Sequence, residues 1–496
     1  MRLTASDLYS YLRPAPCELR VHLLHKGEQP GPPGELEKLL LDLGKRHEAR
    51  QQEALDELLG LDELVDLSGL DRSERIDATI RAVRDGAPMI FQGAFQVQLE
   101  LSGIQCEIVG DPDLLIRRGS GYVVQDIKLA RRITSRDHPE ILASVQLYGW
   151  LYQETFGEPP SGLEILAGDE SIVTVSDDHG ESALALLAEV LAAKVASDEP
   201  YSPVGSSKCK PCGFSQRCWD PAVERQDVAV LPGVDQGLAR ALRSESIHTI
   251  SELMQRFDVP TLDEFERQVG TRMQKVGSKS ESILQHALAW KKGTHVVIGT
   301  LKIPVSKNYV MFDLEGVPSF LDDSSGIYLW GFQVYGQNPS EYSGVIAEAG
   351  EDGDRRVWEN FLAGAGELFE SYGDVPWVHW SSYERIHLRR YMELHGDPDG
   401  IAQRVDDNLL DLLPVTKDAL ALPITSYGLK IVESYVGYQR SQTEYGGDWS
   451  IAQYVEAVEC EDDARRHELF EEILTYNKED LEATWAVFDW VRREVG

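Results

Sequence analysis

The spacing of apolar residues divides the first half of the chain into a helical start, a set of strands and two further helices. Apolar residues at intervals of three and four predict helices over Thr4–Leu12 and Glu35–Leu59. The pattern then changes to short apolar runs, and two of them flank the glycine-rich turn Arg117–Gly121 as a hairpin. Helical spacing returns over Ile141–Phe156 and Ser182–Val195. This order predicts an α/β domain in the first 221 residues.

A short helical module separates this half from a second set of strands. The segment from Leu231 to Met254 predicts two helices joined by a tight turn, and the stretch that continues to Gly293 is predicted to be helical as well. Strands followed by helices then predict a second α/β domain. Its three buried strands are YVMFDLEG, GIYLWGFQVYG and VPWVHWS. We therefore expect an α/β fold with domains at residues 1–221, 222–300 and 301–496.

Composition indicates a soluble intracellular protein. Hydrophobic residues make up 42% and charged residues 26% of the 496, and no apolar run reaches the roughly 18 residues of a membrane span. The N-terminus lacks the apolar stretch of a secretory signal, and six cysteines are too few for a disulfide scaffold. We therefore expect a cytoplasmic protein with no membrane partner, in which clustered cysteines bind metal.

The net charge limits how this chain can handle nucleic acid. Its 83 acidic and 48 basic residues give a formal net charge of −35, which repels a phosphate backbone at long range. Binding of nucleic acid would therefore depend on local basic patches and bound cations. The sequence has no G-x-x-x-x-G-K-[ST] phosphate loop, so an ATP-driven motor would have to be a separate partner.

Two acids and a lysine fall on the predicted hairpin. Asp113 ends the G-D-P-D segment on its first strand, and Asp126 and Lys128 share one face of its second strand because side chains two residues apart point the same way. Two carboxylates on neighbouring strands can hold Mg²⁺ or Mn²⁺, and a lysine beside the cation can orient a water and stabilise developing charge. His47 or Glu48, on the preceding predicted helix, is a candidate further ligand. Alone, D-x-K is usually a solvated strand edge and G-D-P-D a turn.

Four cysteines form a second candidate metal site. Three of them are closely spaced as Cys209-x₂-Cys212-x₅-Cys218, and Cys17 lies near the N-terminus. Four thiolates suit either tetrahedral Zn²⁺ or a [4Fe–4S] cluster. The alternative is a zinc knuckle on the three closely spaced cysteines, without Cys17.

A third candidate site combines a strand with the last helix. Asp313 and Glu315 share one face of the strand YVMFDLEG, and Tyr476 and Asp480 are neighbours on a helix because they are four residues apart. The three acids could hold two cations, and Tyr476 could orient the attacking water. Two cations stabilise both the attacking and the leaving oxygen in phosphodiester hydrolysis.

The order of the first set of motifs resembles the RecB-like branch of the PD-(D/E)xK nuclease superfamily. The matching residues are Gly44, His47, Asp113, Asp126, Lys128 and Gln146. Trp150 stands where that branch usually has tyrosine. The resemblance implies a restriction-endonuclease-like domain in which the two aspartates and His47 bind the cation, and the aspartates, Lys128 and Gln146 take part in catalysis.

The cysteine pattern resembles the iron–sulfur site of AddB-type and CRISPR-adaptation nucleases, which belong to the same branch. One cysteine precedes the nuclease motifs and three follow them. The resemblance implies a [4Fe–4S] cluster that closes a very long loop, and Zn²⁺ is the alternative. Its ligands would be Cys17, Cys209, Cys212 and Cys218.

The C-terminal motifs resemble the DEDD-type exonucleases of the RNase H-like fold. The matches include D-L-E at Asp313 and Y-N-K-E-D at Tyr476, whereas Glu384 stands where that family has aspartate. The resemblance implies Tyr476 as a catalytic residue and four metal ligands, Asp313, Glu315, Glu384 and Asp480. The segment from Leu231 is similar to a helix-hairpin-helix module, with Asp235 in place of one hairpin glycine.

Nearly the whole chain is therefore similar to a RecB-like nuclease family that combines these three parts. The resemblance implies metal-dependent hydrolysis of DNA rather than RNA, on single-stranded or end-exposed substrate, in repair, recombination or defence. The alternative is a catalytically quiet nucleic-acid-binding or scaffolding subunit that works with a separate helicase. The acidic net charge and Glu384 favour this alternative, and the intact set at Asp113, Asp126 and Lys128 favours the nuclease.

Overall fold

The computed structural model describes residues 1–45, 64–270, 272–318, 326–347, 353–441 and 446–496. His47 and Glu48, with the remainder of the helix predicted over Glu35–Leu59, lie outside the described residues. Within the described ranges, no helix combines the length and the apolar character that a membrane span requires.

The N-terminal part of the chain mixes helices and strands as the apolar pattern predicts. The described elements, in chain order, are β1 (Arg2–Thr4), α1 (Ala5–Leu12), α2 (Glu18–His25), α3 (35–45), β2 (Leu64–Asp66), α4 (Arg72–Asp85), β3 (Met89–Phe91), β4 (Phe95–Leu101), β5 (Ile104–Gly110), β6 (Leu114–Arg118), β7 (Gly121–Ile127), α5 (Pro139–Phe156), β8 (Gly162–Leu166), β9 (Ile172–Val175), α6 (Glu181–Val195), α7 (Ser206–Cys209) and α8 (Ser215–Glu224).

Local sequence signals account for the ends of several of these helices. Thr4 caps α1 in a capping box, because its hydroxyl accepts from the backbone N–H of Asp7 while the carboxylate of Asp7 accepts from that of Thr4. Asp71 caps the N-terminus of α4, because its carboxylate accepts from the backbone N–H of Glu74. Helix α4 ends at Gly86, whose φ of 75° is in the left-handed region that glycine adopts readily. These signals were readable in the sequence.

The strands of the N-terminal part form two sheets. Six strands are ordered β2-β3-β6-β7-β8-β9, and three are ordered β1-β5-β4. The predicted hairpin is present as antiparallel β6 and β7, and β7 also pairs in parallel with β8. Helix α5 packs against both sheets, and residues such as Val145, Leu147 and Leu151 are fully buried in the shared core.

The middle of the chain contains a hairpin that the apolar pattern did not predict. Its elements are a 3₁₀ helix (Val228–Val230), α9 (Gln236–Ser244), α10 (Ile250–Arg256), α11 (Val259–Asp263), β10 (Glu266–Val269), β11 (Arg272–Lys275) and α12 (Lys279–Lys292). The prediction of helix throughout the stretch to Gly293 is therefore wrong for β10 and β11. Gly270 turns this hairpin with a positive φ of 58°, which glycine adopts readily.

Asp235, which occupies a glycine position of the helix-hairpin-helix pattern, has structural contacts in this module. Its carboxylate caps α9 by accepting from the backbone N–H of Leu238 (2.9 Å). It also accepts from Nε of the buried Arg267 (2.8 Å), which lies on β10. The acid therefore joins the first helix of the module to the hairpin.

The C-terminal part contains a five-stranded mixed sheet covered by helices. Its elements are β12 (Val296–Val297), β13 (Asn308–Gly316), β14 (Ile327–Gly336), β15 (Ser343–Ile346), α13 (Gly353–Tyr372), β16 (Trp377–His379), α14 (Tyr383–His395), α15 (Ile401–Asn408), β17 (Leu409–Asp411), α16 (Leu412–Ala419), β18 (Leu420–Ala421), α17 (Leu429–Val436), α18 (Gly447–Glu459) and α19 (Asp463–Val495).

The sheet order places β13 beside the long C-terminal helix. The strands are ordered β15-β14-β13-β16-β17, in which β13 is antiparallel to β14 and parallel to β16. Helix α19 packs on β13, β14 and β15, and Ile473, Val487 and Phe488 on it are fully buried. Acidic residues on the β13 face that meets α19 are consequently removed from bulk water.

Candidate active sites

The predicted hairpin brings Asp113, Asp126 and Lys128 together at one end of the six-stranded sheet. Leu114 pairs with Gln125 across β6 and β7, so the residues that flank this pair, Asp113 and Asp126, are neighbours. Lys128 Nζ lies 2.6 Å from Asp126 Oδ2 and 3.8 Å from Asp113 Oδ2. One ammonium group therefore bridges two carboxylates.

Asp113 is held by two donors from the surrounding backbone and side chains. Gln92 Nε2 donates to Asp113 Oδ1 (3.0 Å), and the backbone N–H of Ile127 donates to Asp113 Oδ2 (2.8 Å). Gln92 itself has a positive φ of 56°, a conformation that is uncommon outside glycine and is often found at functional sites. These bonds fix the rotation of the Asp113 carboxylate, and sequence reasoning missed Gln92.

Asp126 is the more deeply buried of the two acids, with 2% of its surface exposed. Burial raises the pKa of Asp126 well above its usual value, the ammonium of Lys128 opposes this rise, and the charge of Asp113 adds to it. When both acids are ionised, the single lysine does not neutralise them. A hard divalent cation such as Mg²⁺ or Mn²⁺, which prefers oxygen ligands, fits this donor set.

Helix α5 presents Tyr148 to the acids, whereas Gln146 has a partner elsewhere. Gln146 Nε2 donates to the backbone carbonyl of Ser176 (3.3 Å), just after the outer strand β9. The ring of Tyr148 packs on Gly110, and the pKa of its phenol is raised first by burial and then by the charges of Asp126 and Asp113. Positions 145, 148 and 152 carry apolar or aromatic residues at helical spacing, and this pattern was the sequence signal that could have pointed to Tyr148.

The four candidate cysteine ligands line a single cavity between α2 and the Cys-rich segment, together with apolar side chains that include Leu23 and Phe214. All four are free thiols. Burial raises the pKa of the Cys218 thiol to about 11 and also raises that of Cys209. Ser202 Oγ donates to Cys17 Sγ (3.4 Å), which ties the N-terminal cysteine to the segment that carries the other three.

In the C-terminal part, β13 and α19 bring Asp313, Glu315 and Asp480 together. One carboxylate oxygen from each lies within 4.8 Å of the others, and in the described part of the chain this is the one group of three or more potential metal ligands at such a separation. Burial raises the pKa of all three acids, and the charge of Asp480 adds to the rise at Asp313 and Glu315. Three carboxylate oxygen donors, of which those of Glu315 and Asp480 belong to buried side chains, suit Mg²⁺ or Mn²⁺.

An arginine stands beside this group. Arg440 donates through Nη2 to Asp480 Oδ1, and through Nε and Nη2 to Glu433 (2.6 and 2.7 Å). Its charge lowers the pKa of Asp313, Glu315 and Asp480 and so opposes the effect of burial. No motif spacing pointed to Arg440 or Glu433, because they meet Asp480 only through the packing of α17 and its following loop on α19.

Glu384 lies near Asp313, Glu315 and Asp480, but its carboxylate is not among the oxygens that lie within 4.8 Å of one another. Its Oε2 is 3.0 Å from Nδ1 of His379, and both side chains are buried. Burial raises the pKa of Glu384 and lowers that of His379 to about 4, so the histidine is neutral at physiological pH. Because this carboxylate already has the histidine as a partner, binding a metal would require Glu384 to release it. Metal ligation by Glu384 stays a prediction.

Tyr476 lies directly against the acids from α19. Burial raises the pKa of its phenol, and the charges of Asp480, Glu315 and Asp313 raise it further. Lys430 Nζ and the Arg440 guanidinium each lie 5.6 Å from the centre of its ring. The site thus combines three carboxylates, a neutral phenol and two cationic side chains, a set that can bind a cation and a phosphate together.

Two protein-family models match separate parts of this sequence. The PD-(D/E)XK nuclease superfamily matches residues 23–219, and the RNase_H superfamily matches residues 310–492. The chain combines a PD-(D/E)XK domain with an RNase H-like domain. The first match contains the Asp113 and Asp126 pair, and the second contains the three acids of β13 and α19. Both superfamilies are nuclease superfamilies whose members typically use Mg²⁺ or Mn²⁺.

Other comparisons add little to this assignment. No curated protein matches the sequence. The solved structure titled "Crystal structure of SSO0001" is 15% identical, and the alignment covers 44% of this chain and 86% of that chain with a TM-score of 0.27. The assignment of the PD-(D/E)XK and RNase H-like domains rests on the two family models.

Proposed function

We propose that this protein is a metal-dependent nuclease whose PD-(D/E)XK domain hydrolyses phosphodiester bonds of DNA. The observation that carries the proposal is the contact of Lys128 with both Asp113 and Asp126 at the end of the hairpin. A cation held by the two aspartates would polarise the phosphate and lower the pKa of a water. His47, from outside the described residues, is proposed as a further ligand.

The side chains of this domain have distinct proposed roles. Gln92 and the Ile127 N–H fix Asp113 before substrate arrives, which reduces the rearrangement that binding requires. Lys128 is partly exposed and already placed between the acids, so its ammonium can donate to an incoming water and to the oxygen on which negative charge develops. Gln146 is retained as a proposed catalytic residue, although its amide would first have to leave Ser176.

The RNase H-like domain is proposed to hold a second hydrolytic site. Asp313, Glu315 and Asp480 supply the oxygen ligands, and Glu384 would join them after releasing His379. Tyr476 lies against the acids with its proton retained, so its hydroxyl can donate to or accept from an attacking water. The buried acids and the RNase_H superfamily match support this site.

The four cysteines are proposed to hold a [4Fe–4S] cluster, with Zn²⁺ as the alternative. Their shared apolar cavity supports a common ligand. No three of their sulfur atoms form a group within 4.8 Å of one another, so the spacing itself supports neither metal over the other.

A catalytically quiet nucleic-acid-binding or scaffolding subunit is the second candidate function of this chain, and two contacts in the RNase H-like domain support it. Arg440 already neutralises the charge of Asp480, and Glu384 is hydrogen-bonded to His379. Such a subunit would bind nucleic acid or act as a scaffold and would work with a separate helicase. We further propose domain boundaries at 1–221, 222–300 and 301–496, a cytoplasmic location, a single-stranded or end-exposed DNA substrate, and a role in repair, recombination or defence.

The direct test is cleavage of end-labelled single-stranded DNA with Mn²⁺, comparing the wild-type sequence with Lys128→Ala in chains that all carry Asp313→Asn, which removes a ligand of the second proposed site. A matched control is Lys291→Ala, which removes an exposed lysine from α12. We expect wild type and Lys291→Ala to cleave and Lys128→Ala to lose cleavage by the PD-(D/E)XK domain. Equal cleavage by all three chains would overturn the assignment of this site, and a parallel RNA substrate tests the preference for DNA.

A further inference from the structure

Asn477 on α19 links Asp313 of the RNase H-like acid group to Tyr342 through hydrogen bonds. Its side chain is fully buried, and Nδ2 donates to Asp313 Oδ2 at 2.7 Å. On the other side of the amide, Oδ1 accepts from the hydroxyl of Tyr342 at 2.9 Å. An uninterrupted chain of hydrogen bonds therefore runs from Tyr342, just before β15, through α19 to Asp313 on β13.

The neighbouring strand makes room for this amide. Gly331 on β14 pairs directly with Asp313 on β13, and a Cβ atom built at Gly331 would lie 1.7 Å from Asn477 Oδ1. Glycine weakens the interior of a strand because it has no side chain to pack and loses more backbone entropy on folding. Position 331 requires glycine because a side chain of any other residue would displace the amide of Asn477.

The chemistry of the amide fixes its orientation. An ionised Asp313 only accepts hydrogen bonds, so the NH₂ group of Asn477 must face it, whereas the Tyr342 hydroxyl can donate to the amide oxygen. Asn477 thus holds one oxygen of Asp313 and fixes the rotation of its carboxylate.

We propose that Asn477 is a positioning residue that holds Asp313 in the geometry that lets Asp313, Glu315 and Asp480 bind a divalent cation. The inference rests on the proposed function of this site and adds a residue that does not itself ligate. Hydrogen-bonding partners of metal-ligating carboxylates typically contribute about 10- to 100-fold to metal affinity. The expected phenotype of Asn477 variants is therefore weakened metal binding in a folded protein.

The experiment measures Mn²⁺ affinity from the electron paramagnetic resonance signal of free Mn²⁺. The full-length chain carries Asp113→Ala, so that binding reports on the RNase H-like site. Asn477→Leu, which keeps a similar volume without a donor, should weaken Mn²⁺ binding by about 10- to 100-fold. Asn408→Leu is the matched control, because Asn408 Nδ2 donates to a backbone carbonyl on α15, away from the acids, and should leave the affinity unchanged.

Two further variants separate positioning from packing. Tyr342→Phe removes only the hydroxyl that anchors the amide, and should weaken Mn²⁺ binding less than Asn477→Leu. In the Asn477→Leu chain the same Tyr342→Phe change should have no additional effect, because the amide is already gone. Circular dichroism and thermal melts check that each variant is folded, and Tyr342→Phe still tests the proposal if Asn477→Leu does not fold.

The outcomes distinguish this inference from the proposed function. If the chain with Asp113→Ala binds no Mn²⁺, or if Asp313→Asn leaves its binding unchanged, the proposed metal site itself is wrong. If Asp313→Asn abolishes binding while folded Asn477→Leu and Tyr342→Phe bind as tightly as their parent, the site is right and the positioning role is overturned.

Discussion

Arg440 donates to the carboxylate of Asp480, which places a guanidinium against the acid group of the RNase H-like domain. The arginine is itself nearly buried and is also held by Glu433. The carboxylates would repel one another strongly in this setting without a counter-charge. Arg440 therefore supplies positive charge to the group from within the chain, and a divalent cation would add to that charge.

Replacement of Arg440 by glutamine should destabilise the protein in a pH-dependent way. Removing one partner of a buried ion pair typically costs about 3–5 kcal/mol, because the other charge is left uncompensated. The pKa values of Asp313, Glu315 and Asp480 are already raised by burial and would rise further. Thermal melts of the wild type and of Arg440→Gln at several pH values measure the effect.

The sign of the pH dependence follows from those raised pKa values. Unfolded Asp and Glu ionise near pH 4, whereas the buried acids keep their protons to higher pH, so the free energy of unfolding falls as the pH rises above about 4. The deficit of Arg440→Gln should therefore be larger at pH 8 than at pH 5, and Mn²⁺ should reduce it at pH 8. Arg465→Gln, on an exposed part of α19, is the control. An equal deficit at both pH values would contradict the explanation.

The two acid groups could be predicted from sequence because their members lie on strongly patterned elements. Asp113, Asp126 and Lys128 occupy a hairpin whose register follows from its turn, and the family models confirm the PD-(D/E)XK and RNase H-like folds that the motifs implied. Asp313 and Asp480 lie on a buried strand and a long helix. Spacing along each element was sufficient to propose which side chains share a face.

The residues that sequence reasoning missed reach the sites through long-range packing. Arg440 lies in a loop, and Gln92 follows a short strand, so neither belongs to a periodic pattern. Tyr148 was passed over in favour of Gln146, although the buried face of α5 is the one that carries the tyrosine. The β10–β11 hairpin was missed because its strands are short and mostly exposed, which leaves little apolar alternation to detect.

Lys128 and Asp113 should give different defects in the PD-(D/E)XK domain. Lys128→Ala leaves both carboxylates in place, so it should lower cleavage by about 10²- to 10³-fold, as expected for one electrostatic donor, while Mn²⁺ still binds. Asp113→Ala removes an oxygen ligand and should lose both cleavage and the Mn²⁺ bound to this domain. Cleavage rates and Mn²⁺ titrations of the two chains provide the comparison, and identical defects in both measurements would refute the separate roles.

His47 should matter more with Mn²⁺ than with Mg²⁺. Mg²⁺ prefers oxygen and can take a water in place of imidazole, whereas Mn²⁺ accepts a nitrogen ligand more readily. We expect His47→Ala to lower cleavage in Mn²⁺ more than in Mg²⁺, and to be milder in Mg²⁺ than Asp113→Ala. Rates with each metal at saturation give the test, and a larger loss in Mg²⁺ would argue against ligation by His47.

Cys17 should be required for the metal in the cysteine cavity. Anaerobically purified protein is expected to be brown, with broad visible absorption from an iron–sulfur cluster, and Cys17→Ala should lose iron and melt at a lower temperature because metal binding contributes folding free energy. Cys460→Ala, at a cysteine outside the cavity, should retain the iron. Colourless wild-type protein with one zinc per chain would establish the zinc alternative, and unchanged metal content in Cys17→Ala would exclude Cys17 as a ligand.

Gly110 should be intolerant of a side chain because α5 packs directly on it. A Cβ atom built there would lie 2.6 Å from Leu151 Cδ1 and 2.7 Å from Tyr148 Cδ1. Overpacking of this kind typically costs about 1–3 kcal/mol, and here it would also push Tyr148 away from Asp113 and Asp126. Gly110→Ala should therefore lower both the melting temperature and the rate of DNA cleavage. Gly69→Ala, where a Cβ atom meets no neighbour within 4 Å, is the control. If Gly110→Ala melts and cleaves like the wild type, the close packing of Tyr148 over the acid pair has no role in the site.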